Sequence, residues 1–476
     1  CEEATMAANE IWKWDAAAVA AAIRAGEISS REAVASNLER LHSVNPAINA
    51  VVEVLEDEAL AAADQADALR REGNATGALH GVPVTAKINV DLAGHATTTG
   101  LVAMKDAIAT EDSIPVANLR RAGAIIIGQT NVPAFCYRWF TSNDLHGLTR
   151  NPWDPTLSPG GSSGGAAAAT AAGIGTFGHG NDVAGSLRLP AGACGVYGFK
   201  PTVGRLPDYN PSQTVEKSLG LQIGATEGVI ARSVRDLRLG LEALAAPDYR
   251  SPSTAPAPAP RIEDELPCRV ALFTGDAETP VDPEIAAIMR KAGGWLQEAG
   301  YVVEEVAPPH LAEMAELWMA MLYAETSDPA REFMFGLGGE AFRRSFLDTA
   351  ANLPVLDSEQ YQEAWKRRLE IQRAWAAFFQ TYPVVLTPTT CMPTFPLDHD
   401  LAGAEVVGEI ARAYRPLSAI AGLAVPAISV PAGFAAGVPA GVQVISRWYG
   451  EDRALSAAAV MEAQIGRLVP IDPKLA

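Results

Sequence analysis

The sequence predicts a single α/β/α domain with a mixed central sheet flanked by helices. Two observations point to alternating layers. A helical stretch over 113–122 stops at Gly123 and runs into the β-branched strand Ala124-Ile125-Ile126-Ile127-Gly128, the pattern of a helix feeding a buried strand. The same order returns over 269–306, where a strand, a helix opened by Asp282-Pro283 and a second strand follow one another. A third observation extends the sheet late in the chain, with short apolar runs at 384–386, 427–431 and 441–445. No internal repeat is visible over the 476 residues, so one large domain, 1–476, is expected.

Taken in order, the elements begin with an N-terminal helical region over 1–75. Residues 15–25 read as a helix closed by Gly26, Ser29-Ser30-Arg31-Glu32 is a capping-box pattern opening a second helix through Leu41, and 55–71 forms a third, rich in Ala and charge. A catalytic core is expected over 79–205. It starts at the alternating strand 79–90, which carries Lys87 inside an otherwise apolar run. Read alone, that lysine is one snorkelling to solvent at a strand end. The Pro-, Asn- and Asp-rich segment 149–159 is a loop, and the alanine-rich 165–172 suits a tightly packed helix. A short strand is expected at 174–178. Beyond Pro201 a loop extends to about Gly224, a helix covers 234–245, and the Pro/Ala tract 251–260 reads as an exposed connector. Residues 311–382 are mostly helical and rich in Met and aromatic side chains (Trp318, Met319, Met321, Tyr323, Phe333, Met334, Phe335, Trp365 and Trp375). Most of these belong to a core, but an adaptable apolar surface of this kind also suits a substrate-facing wall. A final helix starts near Arg453.

Composition narrows the function. The chain carries 37 Lys and Arg against 56 Asp and Glu, a net charge of −19 that repels phosphate backbones, so no nucleic-acid partner is expected. The five cysteines, Cys1, Cys136, Cys194, Cys268 and Cys391, are odd in number and form no C-x-x-C pair, which favours reduced thiols and a cytoplasmic location. No metal-ligand spacing, secretory pattern or membrane-length apolar run is present, and neither a metal nor an organic cofactor is expected.

Two serine-and-glycine turns hold the chemistry, Gly160-Gly161-Ser162-Ser163-Gly164-Gly165 and Val183-Ala184-Gly185-Ser186. Glycine runs cost conformational entropy and are tolerated where backbone must crowd close to something. The first turn formally matches a G-x-S-x-G nucleophile elbow, with His310 and His399 as available partners, but an elbow must follow a strand and this one follows a loop. It also opens a helix as a phosphate loop does, yet lacks the closing Gly-Lys-Ser/Thr. The third reading joins both turns to Lys87. A buried lysine can be neutral, take a proton through Ser162, and so activate Ser186 as a nucleophile. The backbone N–H groups of Val183, Ala184, Gly185 and Ser186 then sit where an oxyanion hole is needed. Asp182 and Arg188 flank the nucleophile and pair to support the turn, and His179 reads as a packed, hydrogen-bonded histidine.

This constellation resembles the amidase signature family from Gly81 to about Arg205, with weaker agreement near 422–450. Lys87 after Gly81-Val82-Pro83 matches the family's catalytic lysine, Ser162 its bridging serine in a cis peptide, and Ser186 its nucleophile, 24 residues further on. Thr130-Asn131, Asn151-Pro152-Trp153, Gly198-Phe199-Lys200-Pro201 and Pro426 to Pro431 match as well. Two positions depart: Gly180-Asn181-Asp182-Val183-Ala184-Gly185-Ser186 replaces the usual Gly-Thr-Asp-x-Gly-Gly-Ser, and Gln129 stands where a lysine is usual. The variant turn resembles the branch with urethanases and 6-aminohexanoate cyclic-dimer hydrolases. The resemblance implies a serine hydrolase cleaving C–N bonds of small amides and carbamates with apolar flanks through an acyl-enzyme on Ser186, as a monomer or homodimer. An amidotransferase component working with a partner protein, and a non-catalytic scaffold of the same fold, are the alternatives.

Overall fold

The computed structural model describes residues 10–257 and 267–475, and they form a single α/β domain around a large mixed sheet. Its strands are β1 (Val51–Val54), β2 (Pro83–Lys87), β3 (Ile125–Thr130), then the small hairpin β4 (Ser142–Asn143) and β5 (Gly147–Leu148). They continue as β6 (Phe177–Asp182), β7 (Tyr197–Lys200), β8 (Thr226–Ala231), β9 (Arg269–Leu272), β10 (Val302–Glu305), β11 (Val384–Pro388), β12 (Ala427–Ala435) and β13 (Val438–Ser446). All but the hairpin join one eleven-stranded sheet in the order β1-β3-β2-β6-β8-β7-β12-β13-β11-β9-β10. The flanks β3-β2-β6 and β11-β9-β10 are parallel, while the centre from β6 to β11 and the edge pair β1-β3 are antiparallel.

Successive side chains on a strand face opposite ways, and the buried strands divide their residues between two cores accordingly. Val84, Ala86, Ile126, Phe177, Val229, Ala231, Val270, Leu272, Val442 and Val444 pack on one face, against helices Ala16–Ala25, Val234–Leu244, Pro283–Glu298 and Glu451–Ile465. On the other face, Ile125, Ile127 and Ile230 meet helices Ser30–Ile48, Glu56–Arg71 and Gly164–Ala172, and Ala271, Val385, Ala427 and Ile445 meet Leu311–Ala324, Ser358–Thr381 and Arg415–Leu423.

Several boundaries differ from the expectation. The Ser29/Glu32 capping box is formed, but its helix runs on to Ile48. The N-terminal region also contributes β1, an edge strand paired antiparallel with β3. The strand expected at 174–178 lies at Phe177–Asp182, so Asn181 and Asp182 end a strand instead of starting the turn. The loop after Pro201 ends in a helix, Leu219–Gly224, and the central strand β8 follows it unforeseen. Residues 311–382 divide into Leu311–Ala324, Asp328–Ala350 and Ser358–Thr381, and helices Ala404–Ala413 and Arg415–Leu423 come after. Residues 251–257 of the Pro/Ala tract are irregular; 258–260, like Cys1, lie outside the described residues. No helix among the described residues is long and apolar enough to cross a membrane.

The helix Gly164–Ala172 is buried along its whole length. Its small residues are a packing requirement: a Cβ on Gly165 would lie 2.4 Å from Asn131 N and 2.7 Å from Ala50 O. Replacing a helical Gly by Ala ordinarily gains about 1 kcal/mol of propensity. Here the neighbours are backbone and cannot rotate aside, and overpacking costs about 1–3 kcal/mol. Gly165→Ala is therefore expected to lower stability in denaturant unfolding; a rise would show that the helix can shift.

Candidate active site

Lys87 ends β2 between β3 and β6, and its side chain is fully buried. Its Nζ donates to Ser162 Oγ at 2.8 Å and to Asn181 Oδ1 at 2.6 Å. Burial is the main effect on the amine and lowers its pKa, with Cys136, Glu227 and Asp182 acting in the opposite sense. The lysine is therefore no snorkelling surface cation.

Ser162 is buried, and the Gly161–Ser162 peptide bond is cis. The turn is tied down on both sides. Thr141 Oγ1 donates to the carbonyl of Gly160 at 2.8 Å, and the N–H of Ser163 donates to the carbonyl of Ser186 at 3.2 Å. That second bond joins the two serine turns directly. Cys136 shares a hydrogen bond with the Ser162 side chain; burial pushes its thiol pKa up, against the influence of Lys87.

The second turn is built around the Asp182 carboxylate. It accepts from the N–H of Gly185 at 2.7 Å and of Leu187 at 3.1 Å, and from Arg188 Nε at 3.0 Å and Nη2 at 2.9 Å. Arg188 continues to Gln443 Oε1 and the carbonyl of Leu417. Burial works to raise the Asp182 pKa, and the Arg188 guanidinium more than offsets it, holding the carboxyl below its usual range. Gly185 has φ +108, and a Cβ there would lie 2.8 Å from Leu417 Cβ, so glycine is required on two counts.

The expected oxyanion donors need one correction. The Gly185 N–H is spent on Asp182, whereas those of Val183, Ala184 and Ser186 make no hydrogen bond among the described residues. Two indoles fix the same backbone from outside. Trp318 Nε1 donates to the carbonyl of Val183 at 2.8 Å and Trp139 Nε1 to that of Ala184 at 3.0 Å. Within a planar trans peptide the N–H points opposite to the carbonyl, so anchoring the Val183 carbonyl turns the Ala184 N–H away from Trp318.

His179 is packed and bonded on both ring nitrogens. Nδ1 accepts from the Lys87 N–H at 3.5 Å, which leaves Nε2 to donate to Glu227 at 2.8 Å. Burial favours a higher Glu227 pKa, but the His179 bond reverses this and holds the carboxyl below its usual range. His310 and His399 belong elsewhere: His310 pairs with Glu313 on an exposed helix start, and His399 stacks on Phe395. Gln129, at the other departure, is buried with neither side-chain polar atom bonded among the described residues.

Of the Met and aromatic residues over 311–382, Trp318, Met321 and Trp375 are core. Tyr323, Met334 and Phe335 instead pack with Phe342 and Phe346 against Phe135 and Tyr137, the neighbours of Cys136. Through Phe135 and Tyr137 this aromatic cluster packs the helical segment against the stretch that carries Cys136. Asn181, Cys136 and Trp139 were not singled out from the sequence as site residues; only Asn181 left a signal, as a departure within the turn. Among the described residues no group of three or more His, Cys, Asp or Glu is placed to hold a metal ion.

A family model described as Amidase matches residues 32–455. The chain is 44% identical over 459 residues, 96% of its length and 88% of the relative's, to an indoleacetamide hydrolase of Bradyrhizobium diazoefficiens. It is 32% identical over 472 residues, covering 94% of the chain and 94% of the relative, to an acylamidase of Rhodococcus erythropolis. In shape it is similar to 6-aminohexanoate cyclic dimer hydrolase complexed with substrate, with a TM-score of 0.82 at 27% identity, covering 97% of this chain and 99% of that one.

The Asp182–Arg188 pair is wholly buried. Removing one partner of such a pair leaves an uncompensated charge in the interior and costs about 3–5 kcal/mol. Asp182→Ala is expected to lose stability on that scale in equilibrium unfolding, and a loss below about 1 kcal/mol would mean that Gln443 and the Leu417 carbonyl suffice for Arg188.

Proposed function

The chain belongs to the amidase family, and from that premise we propose that it hydrolyses amide C–N bonds through an acyl-enzyme on Ser186. The observation that carries this reading is the 2.8 Å contact of a buried Lys87 Nζ with Ser162 Oγ, beside a backbone bond from Ser163 to Ser186. A neutral Lys87 takes the Ser162 proton while Ser162 takes that of Ser186, and Ser186 Oγ attacks the carbonyl carbon. The tetrahedral oxyanion faces the N–H groups of Val183, Ala184 and Ser186. The proton returns through Ser162 to the leaving nitrogen, the amine departs, and water activated by the same relay releases the acid.

The substrate reading is a small amide with an apolar, aromatic flank. The similarity to an indoleacetamide hydrolase supports an arylacetamide as first choice. Carbamates are a second reading, favoured by the Asn181 to Ser186 turn. In that case an alkoxycarbonyl-enzyme hydrolyses to a carbonate half-ester, which loses carbon dioxide to leave the alcohol. An amidotransferase role would require a partner protein, so activity of the purified chain on small amides separates the two.

Ser186→Ala is expected to lower kcat/KM on the order of 10⁴-fold or more, and Lys87→Ala and Ser162→Ala by comparable, non-additive amounts. A sulfonyl fluoride should label Ser186 in mass spectrometry; labelling of Ser162 in its place would restore the elbow reading. Since only the neutral amine accepts a proton, the rate should rise with pH through the Lys87 pKa, at a limb below the ordinary lysine value. A flat profile in a chemistry-limited reaction would exclude a lysine base.

Given a matched arylacetamide and aryl carbamate, the purified chain should release acid and ammonia from the first. From the carbamate it should release amine and alcohol in equal amounts, both lost in Ser186→Ala. Cleavage of the amide with no amine from the carbamate would restrict the enzyme to amides.

A further inference from the structure

We propose that Asn181 is the positioning residue of the Lys87 base, its side-chain carbonyl holding one Nζ–H so that the lone pair of the neutral amine is aimed at Ser162. The proposal rests on the reading of Lys87 as a base. Two contacts orient Nζ, Asn181 Oδ1 at 2.6 Å and Ser162 Oγ at 2.8 Å. A neutral amine has two N–H groups and one lone pair. The carbonyl oxygen of a carboxamide can only accept, so its contact always takes an N–H and never the lone pair. A hydroxyl in the same place can also donate, and would then compete with Ser162 for the lone pair. With Oδ1 facing Nζ, Asn181 excludes that arrangement. When the proton arrives and the group becomes an ammonium, the same N–H stays on Asn181, and no partner has to be exchanged during the step.

The position of Asn181 fits this task. It is the penultimate residue of β6, opposite Glu227 of β8, and its own carbonyl accepts from Ser163 Oγ at 3.4 Å. One residue therefore touches the base, the turn of the bridging serine and, through Asp182, the start of the nucleophile turn. The charged and titratable groups that surround Lys87 are Cys136 from the segment after β3, His179 and Asp182 from β6, and Glu227 from β8. Glu227 is engaged by His179 and Asp182 by Arg188, so neither is in hydrogen-bond contact with Nζ. The direct partner opposite Ser162 is thus a neutral carbonyl, and a change of charge there acts on the amine with little screening.

The test compares Asn181→Asp and Asn181→Leu by the pH dependence of kcat/KM and of sulfonyl fluoride labelling at Ser186, with Ser186→Ala and Lys87→Ala in the same series. The isosteric Asp places a carboxylate against Nζ and stabilises the ammonium, so the acid limb should move up by about 1–3 pH units, with the rate recovering in alkali. Leu removes the acceptor, and the charged form loses more than the neutral one. Its limb should move down, while the plateau kcat falls roughly tenfold or more with KM changed less than about threefold. A purely structural role would lower rates without moving the limbs in opposite directions. Superposed limbs, or shifts of the same sign, overturn the proposal. Should the Leu variant fail to fold, shown by a lost melting transition, the Asp limb decides alone. Full activity in Lys87→Ala would instead remove the base reading, and this inference with it; an inactive Lys87→Ala with unmoved Asn181 limbs removes this inference only.

Discussion

The site depends on one buried carboxylate. Asp182 gathers two backbone N–H groups and the Nε and Nη2 donors of the Arg188 guanidinium, and in doing so fixes the end of β6, the turn that follows and the first residue of the next helix. Hydrogen bonds to a charged acceptor are the strong ones, and a buried, low-dielectric setting strengthens them further. Arg188 carries the constraint further, to Gln443 on β13 and to the carbonyl of Leu417. The turn over 183–187 is thereby tied to both halves of the sheet, although its own residues span only a few positions of the sequence.

Next to this fixed turn lies a lysine whose environment opposes its charge. Burial lowers the Lys87 pKa, and the acidic groups nearby are each engaged elsewhere: Glu227 by His179, Asp182 by Arg188. Lys200 is a second buried lysine, with its pKa pushed down to about 7 by burial, but it donates to the carbonyls of Pro201 and Val425 and holds the strand end where β7 leaves the sheet. Two lysines with the same perturbation thus have different surroundings. One faces a hydroxyl and a carboxamide, and the other is capped by backbone carbonyls.

Much of this was legible in the sequence because it is written in local chemistry. The two glycine-serine turns, the lysine within an apolar strand and the capping box are all short-range signals, and the first two single out Lys87, Ser162 and Ser186, which the fold brings together. What was lost required knowledge of partners far along the chain. Strand β8 carries Gly228 and Glu227, both unusual in a central strand. The first is there because a Cβ would lie 2.2 Å from the carbonyl of Phe199, the second because His179 Nε2 donates a hydrogen bond to its carboxylate. Neither reason is visible in the local pattern. Gly185 likewise reads as an oxyanion donor until the side chain of Asp182 is seen to claim its N–H. The aromatic run over 311–382 was ambiguous in composition alone; packing separates Trp318 in the core from Phe335 in the cluster beside Cys136.

The bond from Trp318 to the Val183 carbonyl joins the helix Leu311–Ala324 to the turn that would receive developing negative charge. Selection for a new acyl group would act on the neighbouring helical segment, and so would pull on the machinery that serves every substrate alike. A substitution that shifts the helix Leu311–Ala324 therefore moves the Val183 carbonyl with it, so that a change on one side of the indole is felt on the other.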